Sequence, residues 1–304
     1  MTGVPLSEPD IRQLGQIDMS ESPQGEDPPR VSDAYSRDLG ALLREIRHRS
    51  GWASNKLLKK LDWSAGKLSK LESGTRGTGE RDILFLLGVL QASKEDREQV
   101  HDVLSAGNRH AFVRRHDTDG SARCMRIHEE SSVSVIAYEP FTIPPLAQAW
   151  DYALALTGSE VCANSRARRK DAARSRATGH QGQRWRFYIH ELALRTVVGG
   201  KDVMRDQMLD LTLTVGLTNI SVNVVPEVAG MDAYLLRPAT LMDVGHSAGA
   251  VACVEGDSAT AFYDDEEIVQ EVKEKMCRIS AAALGDDESR SLLARWADLY
   301  DRGQ

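Results

Sequence analysis

Residues 52–76 decide the fold and read Trp-Ala-Ser-Asn-Lys-Leu-Leu-Lys-Lys-Leu-Asp-Trp-Ser-Ala-Gly-Lys-Leu-Ser-Lys-Leu-Glu-Ser-Gly-Thr-Arg. The pattern predicts two short amphipathic helices joined by a tight turn. Their apolar faces are Leu57, Leu58 and Leu61 in the first helix and Leu68 and Leu71 in the second. Ser54 and Ser64 are placed to cap the two helix starts, because a serine hydroxyl accepts a free backbone N–H there. Gly74 ends the second helix, since glycine adopts the left-handed conformation without strain.

Two helices of this length cannot bury their own apolar faces, so neighbouring segments must complete the core. Periodic apolar residues lie on both sides, at 39–46 and 83–87, and a further helix is predicted at Lys94–Leu104 behind the cap residue Ser93. The sequence therefore predicts a compact bundle of four or five helices around a helix-turn-helix.

The solvent-facing side of the second helix is small near its start and basic further along. Such a surface suits entry into the major groove, because bulky acidic groups there would meet phosphate. Residues 36–78 hold ten Lys/Arg against four Asp/Glu, a net charge of +6, while the first 35 residues carry −5. One basic module in an acidic chain is the pattern expected of a phosphate-binding domain, although a solvated basic surface is the plainer alternative.

The same residues resemble those of the xenobiotic-response-element (XRE) helix-turn-helix regulators. The similarity is carried by Leu39-Gly-Ala-Leu-Leu-Arg-Glu-Ile-Arg, by Ser54-Asn-Lys-Leu and by Ser69-Lys-Leu-Glu-Ser-Gly-Thr-Arg. It implies that Glu72 is structural and that Asn55 occupies the place of a glutamine that contacts phosphate or base. The candidate DNA-contacting residues are Asn55, Lys56, Ser64, Ala65, Gly66, Lys67, Ser69, Lys70 and Arg76. Of these, Lys56, Lys67, Lys70 and Arg76 are expected on phosphate and Ser64, Ala65, Gly66 and Ser69 near base edges.

Four regions are predicted along the 304 residues, which is enough material for two domains. Residues 1–34 hold five of the ten prolines and are acidic, which predicts a disordered tail. Residues 35–107 form the helix-turn-helix domain, residues 108–126 are a polar linker, and residues 127–304 form the second domain. The predicted fold class is thus an α helix-turn-helix bundle followed by an α+β C-terminal domain.

In the second domain, short β-branched runs alternate with helical segments. The predicted strands are Ser132–Tyr138, Arg184–His190, Ile220–Val225, Tyr234–Val244, Ala250–Glu255 and Thr260–Tyr263. The predicted helices are Leu146–Leu156, Glu160–Arg176, Lys201–Val215, Asp265–Ala282 and Asp287–Tyr300.

This region resembles the actinobacterial domain of unknown function DUF5753. The similarity rests on Tyr138-Glu-Pro-Phe-Thr-Ile-Pro-Pro-Leu-Ala-Gln-Ala-Trp, His190-Glu-Leu-Ala-Leu-Arg-Thr-Val-Val-Gly-Gly and Ile220-Ser-Val-Asn-Val-Val-Pro. In that family the domain typically follows an XRE-type helix-turn-helix. The resemblance implies an antitoxin-like regulator that is often encoded beside a small partner protein.

Several motifs suggest chemistry that the rest of the chain does not support. Gly245-His-Ser-Ala-Gly has the spacing of a nucleophile elbow, but a strand rather than a helix follows and no histidine lies downstream of Ser247. His190-Glu191 and His128-Glu129-Glu130 lack the spacing that places two metal ligands on one helix face. We therefore expect no enzymatic activity and no cofactor.

Composition limits the compartment. The longest apolar run, Ile83–Leu90, is too short to span a bilayer, and no basic segment followed by an apolar stretch opens the chain. The four cysteines are scattered, which favours free thiols in a reducing cytoplasm. We expect a cytoplasmic, nucleoid-associated protein with no membrane partner.

The predicted function is a sequence-specific transcriptional regulator that binds double-stranded DNA as a homodimer. Its second domain would bind a small-molecule effector or a small protein partner encoded nearby. Residues 166–186 carry seven Arg and one Lys against one Asp, so they are a second candidate phosphate surface, a dock for an acidic partner, or a solvated face. Two alternatives remain: a ligand-binding or catalytic protein with a vestigial helix-turn-helix, and an antitoxin-like adaptor.

Overall fold

The computed structural model describes residues 32–75, 79–105, 110–116, 120–179, 182–230, 233–245, 249–256 and 258–302. Most of the predicted tail at 1–34, the candidate contact Arg76 and the elbow residue Ser247 lie outside these ranges. No helix in the described ranges combines the length and the apolar character that crossing a bilayer requires.

The first part of the chain is the predicted helical bundle. Its helices are α1 (Ala34–Arg49), α2 (Ser54–Leu61), α3 (Ala65–Glu72), α4 (Glu80–Leu90) and α5 (Lys94–Leu104). All five present buried leucine, isoleucine or valine side chains to a common core. The helix-turn-helix prediction is confirmed, with α2 and α3 as its two short members.

Capping explains where most of these helices begin. The Ser64 side chain accepts the backbone N–H of Lys67 at 3.1 Å, as predicted. Ser93 and Asp96 form a reciprocal capping box at the start of α5. The expectation for Ser54 is wrong: Ala53 is the cap residue of α2, and Ser54 is already inside the helix.

The second part contains one mixed sheet of seven strands. They are β1 (Ala111–Arg115), β2 (Ser134–Glu139), β3 (Arg184–His190), β4 (Ile220–Val225), β5 (Ala239–Asp243), β6 (Ala250–Glu255) and β7 (Ala259–Tyr263). Their order across the sheet is β1-β7-β6-β5-β2-β3-β4. Strands β2, β3 and β4 are parallel, and the remaining pairings are antiparallel. The predicted α-then-α+β fold class is confirmed.

Helices cover both faces of this sheet. They are α6 (Gly120–Ser131), α7 (Trp150–Thr157), α8 (Glu160–Thr178), α9 (Glu191–Arg195), α10 (Lys201–Thr214), α11 (Glu266–Ala282) and α12 (Asp286–Asp301). Three 3-10 turns lie at Pro145–Ala147, Glu227–Ala229 and Ala233–Leu236. The predicted strand Tyr234–Val244 is therefore shortened to β5 by a 3-10 turn, and the predicted helix Leu146–Leu156 is divided in the same way.

The predicted linker at 108–126 is where the structure departs most from expectation. Residues 111–115 form strand β1, which pairs with β7, and helix α6 begins at Gly120. Polar composition suggested a connector, but Arg114 is buried because its guanidinium is paired with Asp38 of α1, 2.6 Å away. Hydropathy does not reveal this pairing, since the partner lies 76 residues earlier.

The helical bundle and the sheet share one hydrophobic core. Tyr35 of α1 meets the edge of Phe112 of β1 with ring centroids 6.2 Å apart, and Phe112 stacks on Phe262 of β7 at 5.3 Å. Because α1 contributes to both the bundle and this contact, the helical bundle is continuous with the second domain rather than tethered to it.

Candidate nucleic-acid interface

Helix α3 is the element that the sequence places in the DNA groove, and its two sides differ sharply. Leu68 and Leu71 are buried against the bundle. Positions 65, 66, 69 and 70 are all exposed, and their spacing places them on one stripe of the helix. The stripe consists of Ala65, Gly66, Ser69 and Lys70. Apart from Lys70, which lies toward the C-terminal end of the helix, the stripe has only short side chains.

Close backbone contact with α1 fixes the orientation of α3. At Gly40 of α1, a Cβ atom would lie 2.5 Å from the carbonyl oxygen of Leu71, so only glycine permits this crossing. After the helix, Gly74 has a φ of +69°, as its predicted role at the helix end requires, and it packs directly on the backbone of Ser36.

A buried ion pair adds a second constraint on α3. Glu72, the last residue of the helix, accepts hydrogen bonds from the Nε and Nη2 atoms of Arg47 at 2.5 and 2.9 Å. Both residues are buried, and this bonding raises the pKa of Arg47 above its usual value. The structural role that the family resemblance implied for Glu72 is thus observed directly.

The other predicted contact residues occupy different positions. Asn55 and Lys56 are exposed at the start of α2, beside Lys59 and Lys60. Ser64 caps α3, so its hydroxyl oxygen is already engaged. Within the described ranges, these lysines and Lys70 have no ion-pair partner.

Lys67 is the exception among the predicted cations. Its Nζ atom lies 2.8 Å from Oδ2 of Asp82 on α4 and 4.2 Å from the centroid of the Trp63 ring. The side chain is directed toward α4, so a phosphate would have to compete with Asp82 for it. Sequence reasoning missed this arrangement because Asp82 comes from the following helix.

Residues 166–186, the Arg-rich segment, differ from the α3 stripe because most of their cations are already paired within the protein. Most of these cations lie on helix α8. Arg169 pairs with Glu129 at 2.5 Å, and Lys170 pairs with Asp210 at 2.5 Å. Arg166 and Arg176 donate to glutamine side chains at 2.6 and 2.8 Å. Only Arg168 and Arg184 are exposed and without a partner in the described part of the chain.

The histidine motifs serve the fold. His190 Nδ1 accepts the backbone N–H of Leu192 at 3.1 Å and so caps α9, and burial lowers the pKa of His190. Glu191 accepts the backbone N–H of Glu227 at 3.0 Å. His128 is fully buried, and burial together with the charges of nearby arginines lowers its pKa to about 3. Across the described ranges, no three His, Cys, Asp or Glu side chains gather into a possible metal site.

Comparison with known proteins agrees with this architecture. A family described as "Domain of unknown function (DUF5753)" matches residues 123–295, and a "Helix-turn-helix domain" family matches residues 38–100. No protein of curated function matches the chain.

One solved structure is similar: "Structure of TrmBL2, an archaeal chromatin protein, shows a novel mode of DNA binding". The identity is 12% and the TM-score 0.31, over 67% of this chain and 65% of that one. The chain thus spans slightly less than two thirds of that protein, and a similarity of this size carries no argument about function.

Proposed function

This chain belongs to the DUF5753 family, and we propose that this member is a sequence-specific DNA-binding regulator of transcription. The observation that carries the proposal is the exposed stripe of α3, formed by Ala65, Gly66, Ser69 and Lys70. Its short side chains permit close approach to base edges, because the major groove is about 12 Å wide and just admits a helix.

The cations around this stripe would hold the protein on the DNA backbone. Lys56 and Lys70 are exposed and unpaired within the described ranges, and Lys67 would join them after release from Asp82. Asn55 stands beside them at the start of α2. Contacts of this kind fix the position of the protein, whereas the stripe supplies the sequence preference. Arg76 remains a candidate from the sequence.

The remaining parts of the proposal concern assembly and control. A homodimer would present two copies of α3 to half-sites about 34 Å apart, one turn of DNA. The second domain would bind an effector or a small protein partner without catalysing a reaction. The site of action would be the nucleoid in the cytoplasm. The core that α1 shares with the sheet supports this proposal. Packed side chains can transmit a change at the sheet to the helical bundle.

The proposal is tested by replacing Gly66 with glutamate. A Cβ atom at Gly66 meets nothing closer than the Ser64 hydroxyl at 3.9 Å, and a carboxylate in the first turn suits the helix dipole. Gly66→Glu should therefore fold normally, yet repulsion from phosphate should weaken binding to the protein's own upstream DNA by about a hundredfold or more.

The control is Gly88→Glu, at an exposed position in the last turn of α4. A Cβ atom there also meets nothing within 4 Å, but the position is not on the α3 stripe. Circular dichroism should be the same for both variants, and only Gly66→Glu should lose affinity in a fluorescence anisotropy titration. Equal affinity of Gly66→Glu and the parent protein would exclude α3 as the reading helix.

A further inference from the structure

A groove of about 460 Å³ lies on the second domain, on the sheet face that carries α11. Its floor comes from strands β1, β7 and β6, at Val113, Ala261, Tyr263 and Val254. Val272 of α11 closes one side. A volume of this size falls within the range of pockets that hold small molecules, which is roughly 300–1,000 Å³.

The groove is open because α11 covers only part of the sheet. Val269 of this helix packs on Leu241 and Ala252 of β5 and β6, which leaves the far side of β7 and β1 uncovered. Small side chains at Ala259 and Ala261 add to the space. As a result Val113 in the edge strand β1 is 57% exposed.

Two cations line the groove, Lys275 from α11 and Arg237 from the segment that precedes β5. Lys275 of α11 donates from Nζ to the backbone carbonyl of Arg237 at 2.5 Å and lies 5.9 Å from the centroid of the Tyr138 ring. Burial and the charge of Arg237 lower the pKa of Lys275 to about 8. The charge of Glu139 acts on Lys275 in the opposite sense, but within the described ranges no salt bridge joins a carboxylate to either cation and no carboxylate lines the groove.

We propose that this groove binds a small apolar carboxylate. The apolar body would lie on Val113, Ala261 and Val254, and the carboxylate would accept hydrogen bonds from the Lys275 ammonium and the Arg237 guanidinium. Charge complementarity selects this class of ligand, since an unpaired cation at the edge of an apolar surface is stabilised by an anion that brings its own apolar part.

The groove lies on one face of strand β1, and the opposite face of this strand packs on helix α1 of the bundle. Val113 faces the groove, whereas the residues on either side of it, Phe112 and Arg114, face α1. Arg114 holds the fully buried Asp38 of α1, and Phe112 contacts Tyr35. A ligand that shifts β1 therefore acts on α1 and on the helix packed across it, α3. This second half of the inference rests on the proposed DNA-binding function, whereas ligand binding itself does not.

Ligand binding is tested on the full chain by calorimetric titration with decanoate, and with decylamine and 1-decanol as probes of equal length. Decanoate should bind and the amine should not, with the alcohol about tenfold weaker than decanoate. Lys275→Met should weaken decanoate by about tenfold. Lys273→Met, on the same helix but outside the groove, should leave it unchanged.

Ala261→Phe provides a second variant, because its ring would fill the floor of the groove and should abolish binding of decanoate. Lys275→Met keeps the test decisive if Ala261→Phe does not fold. No binding of decanoate, equal binding of decanoate and decylamine, or an unchanged affinity in Lys275→Met would each overturn the proposed site.

Coupling is tested separately by measuring DNA affinity with and without saturating decanoate. A shift of about fivefold or more is expected in the parent protein, and Lys275→Met should need about tenfold more decanoate to reach it. Decanoate binding without any shift would overturn the link through β1. A protein that binds decanoate but no DNA would refute the proposed function and leave the ligand site standing.

Discussion

Helices α3 and α8 both carry basic residues that the sequence offers as phosphate-binding surfaces, yet the fold leaves the two sets of side chains in opposite environments. On α3 and the neighbouring α2, Lys56, Lys59, Lys60 and Lys70 are exposed and have no ion-pair partner in the described ranges. On α8, Arg169 and Lys170 are drawn inward by Glu129 and Asp210. The difference shows that the number of cations does not identify a phosphate surface. What matters is whether carboxylates elsewhere in the fold have already neutralised them.

The largest effect that separates the two helices should be on stability. Arg169→Ala would leave the Glu129 carboxylate, which is 3% exposed, buried without its partner. The free energy of unfolding should fall by about 3–5 kcal/mol, the usual cost of breaking a buried pair. Urea denaturation followed by circular dichroism measures this loss. Arg168→Ala, at an exposed position of the same helix, should change stability by no more than about 0.5 kcal/mol.

A loss of less than about 1 kcal/mol in Arg169→Ala would contradict the structural role given to α8. The cations of this helix would then be available for another use, and the contrast with α3 would disappear.

Buried arginines should also shift the pKa of neighbouring groups, which exposed and solvated lysines cannot do. Burial, with the charges of Arg37 and Arg114, lowers the pKa of His128 from 6.5 to about 3. Below pH 6.5 the unfolded chain gains a proton that the folded protein does not. The free energy of unfolding should therefore decrease as the pH is lowered. The slope from this group is up to about 1.4 kcal/mol per pH unit, between pH 6.5 and 3.

Denaturation of the parent protein and of His128→Leu between pH 7 and 5 measures this contribution. Glu139, whose pKa is raised to about 8 by burial, changes stability in the opposite direction and equally in both proteins. On acidification the free energy of unfolding of the variant should therefore rise relative to that of the parent protein. Identical profiles for the two proteins would show that His128 is not held neutral by its surroundings.

The smallest expected effect concerns Lys67, the predicted cation of α3 that is paired with Asp82. Asp82→Asn removes the carboxylate 2.8 Å from its Nζ atom and frees the cation. Affinity for the protein's own upstream DNA should rise by about two- to fivefold, since an exposed pair is worth roughly 0.2–1 kcal/mol. Asp62→Asn, at the exposed end of α2, is the control for the loss of a negative charge. An equal gain in both variants would mean that charge alone, rather than release of Lys67, is responsible.

The sequence predicted most of the local structure. Helix Lys94–Leu104 and strands Arg184–His190, Ile220–Val225 and Ala250–Glu255 have the predicted bounds, because cap residues and β-branched alternation act over a few residues. Strand β1 was missed for the opposite reason, since the burial of Arg114 depends on Asp38 far away in the sequence.

The same contrast between local patterns and long-range contacts applies to the candidate site. Helical periodicity predicted that Ala65, Gly66, Lys67, Ser69 and Lys70 would be exposed. Four of them are, whereas Lys67 is half-buried. The same periodicity could not reveal that Asp82 engages Lys67, because that contact depends on how α4 packs beside α3. Nor could it indicate which arginines of α8 were already paired. Exposure is a local property of an amphipathic helix, whereas the availability of a charge depends on tertiary structure.

The most direct test of the central claim is the salt dependence of DNA binding in two matched double variants. Lys56→Ala with Lys70→Ala removes two exposed cations from α2 and α3, and Arg168→Ala with Arg184→Ala removes the two exposed cations of the Arg-rich segment. Affinity for the protein's own upstream DNA is measured from low to moderate salt. The first pair should reduce the slope of log affinity against log salt by about 1–2, while the second should leave it unchanged. An unchanged slope in the lysine variant, with a reduced slope in the arginine variant, would contradict the claim that α3 lies in the DNA groove.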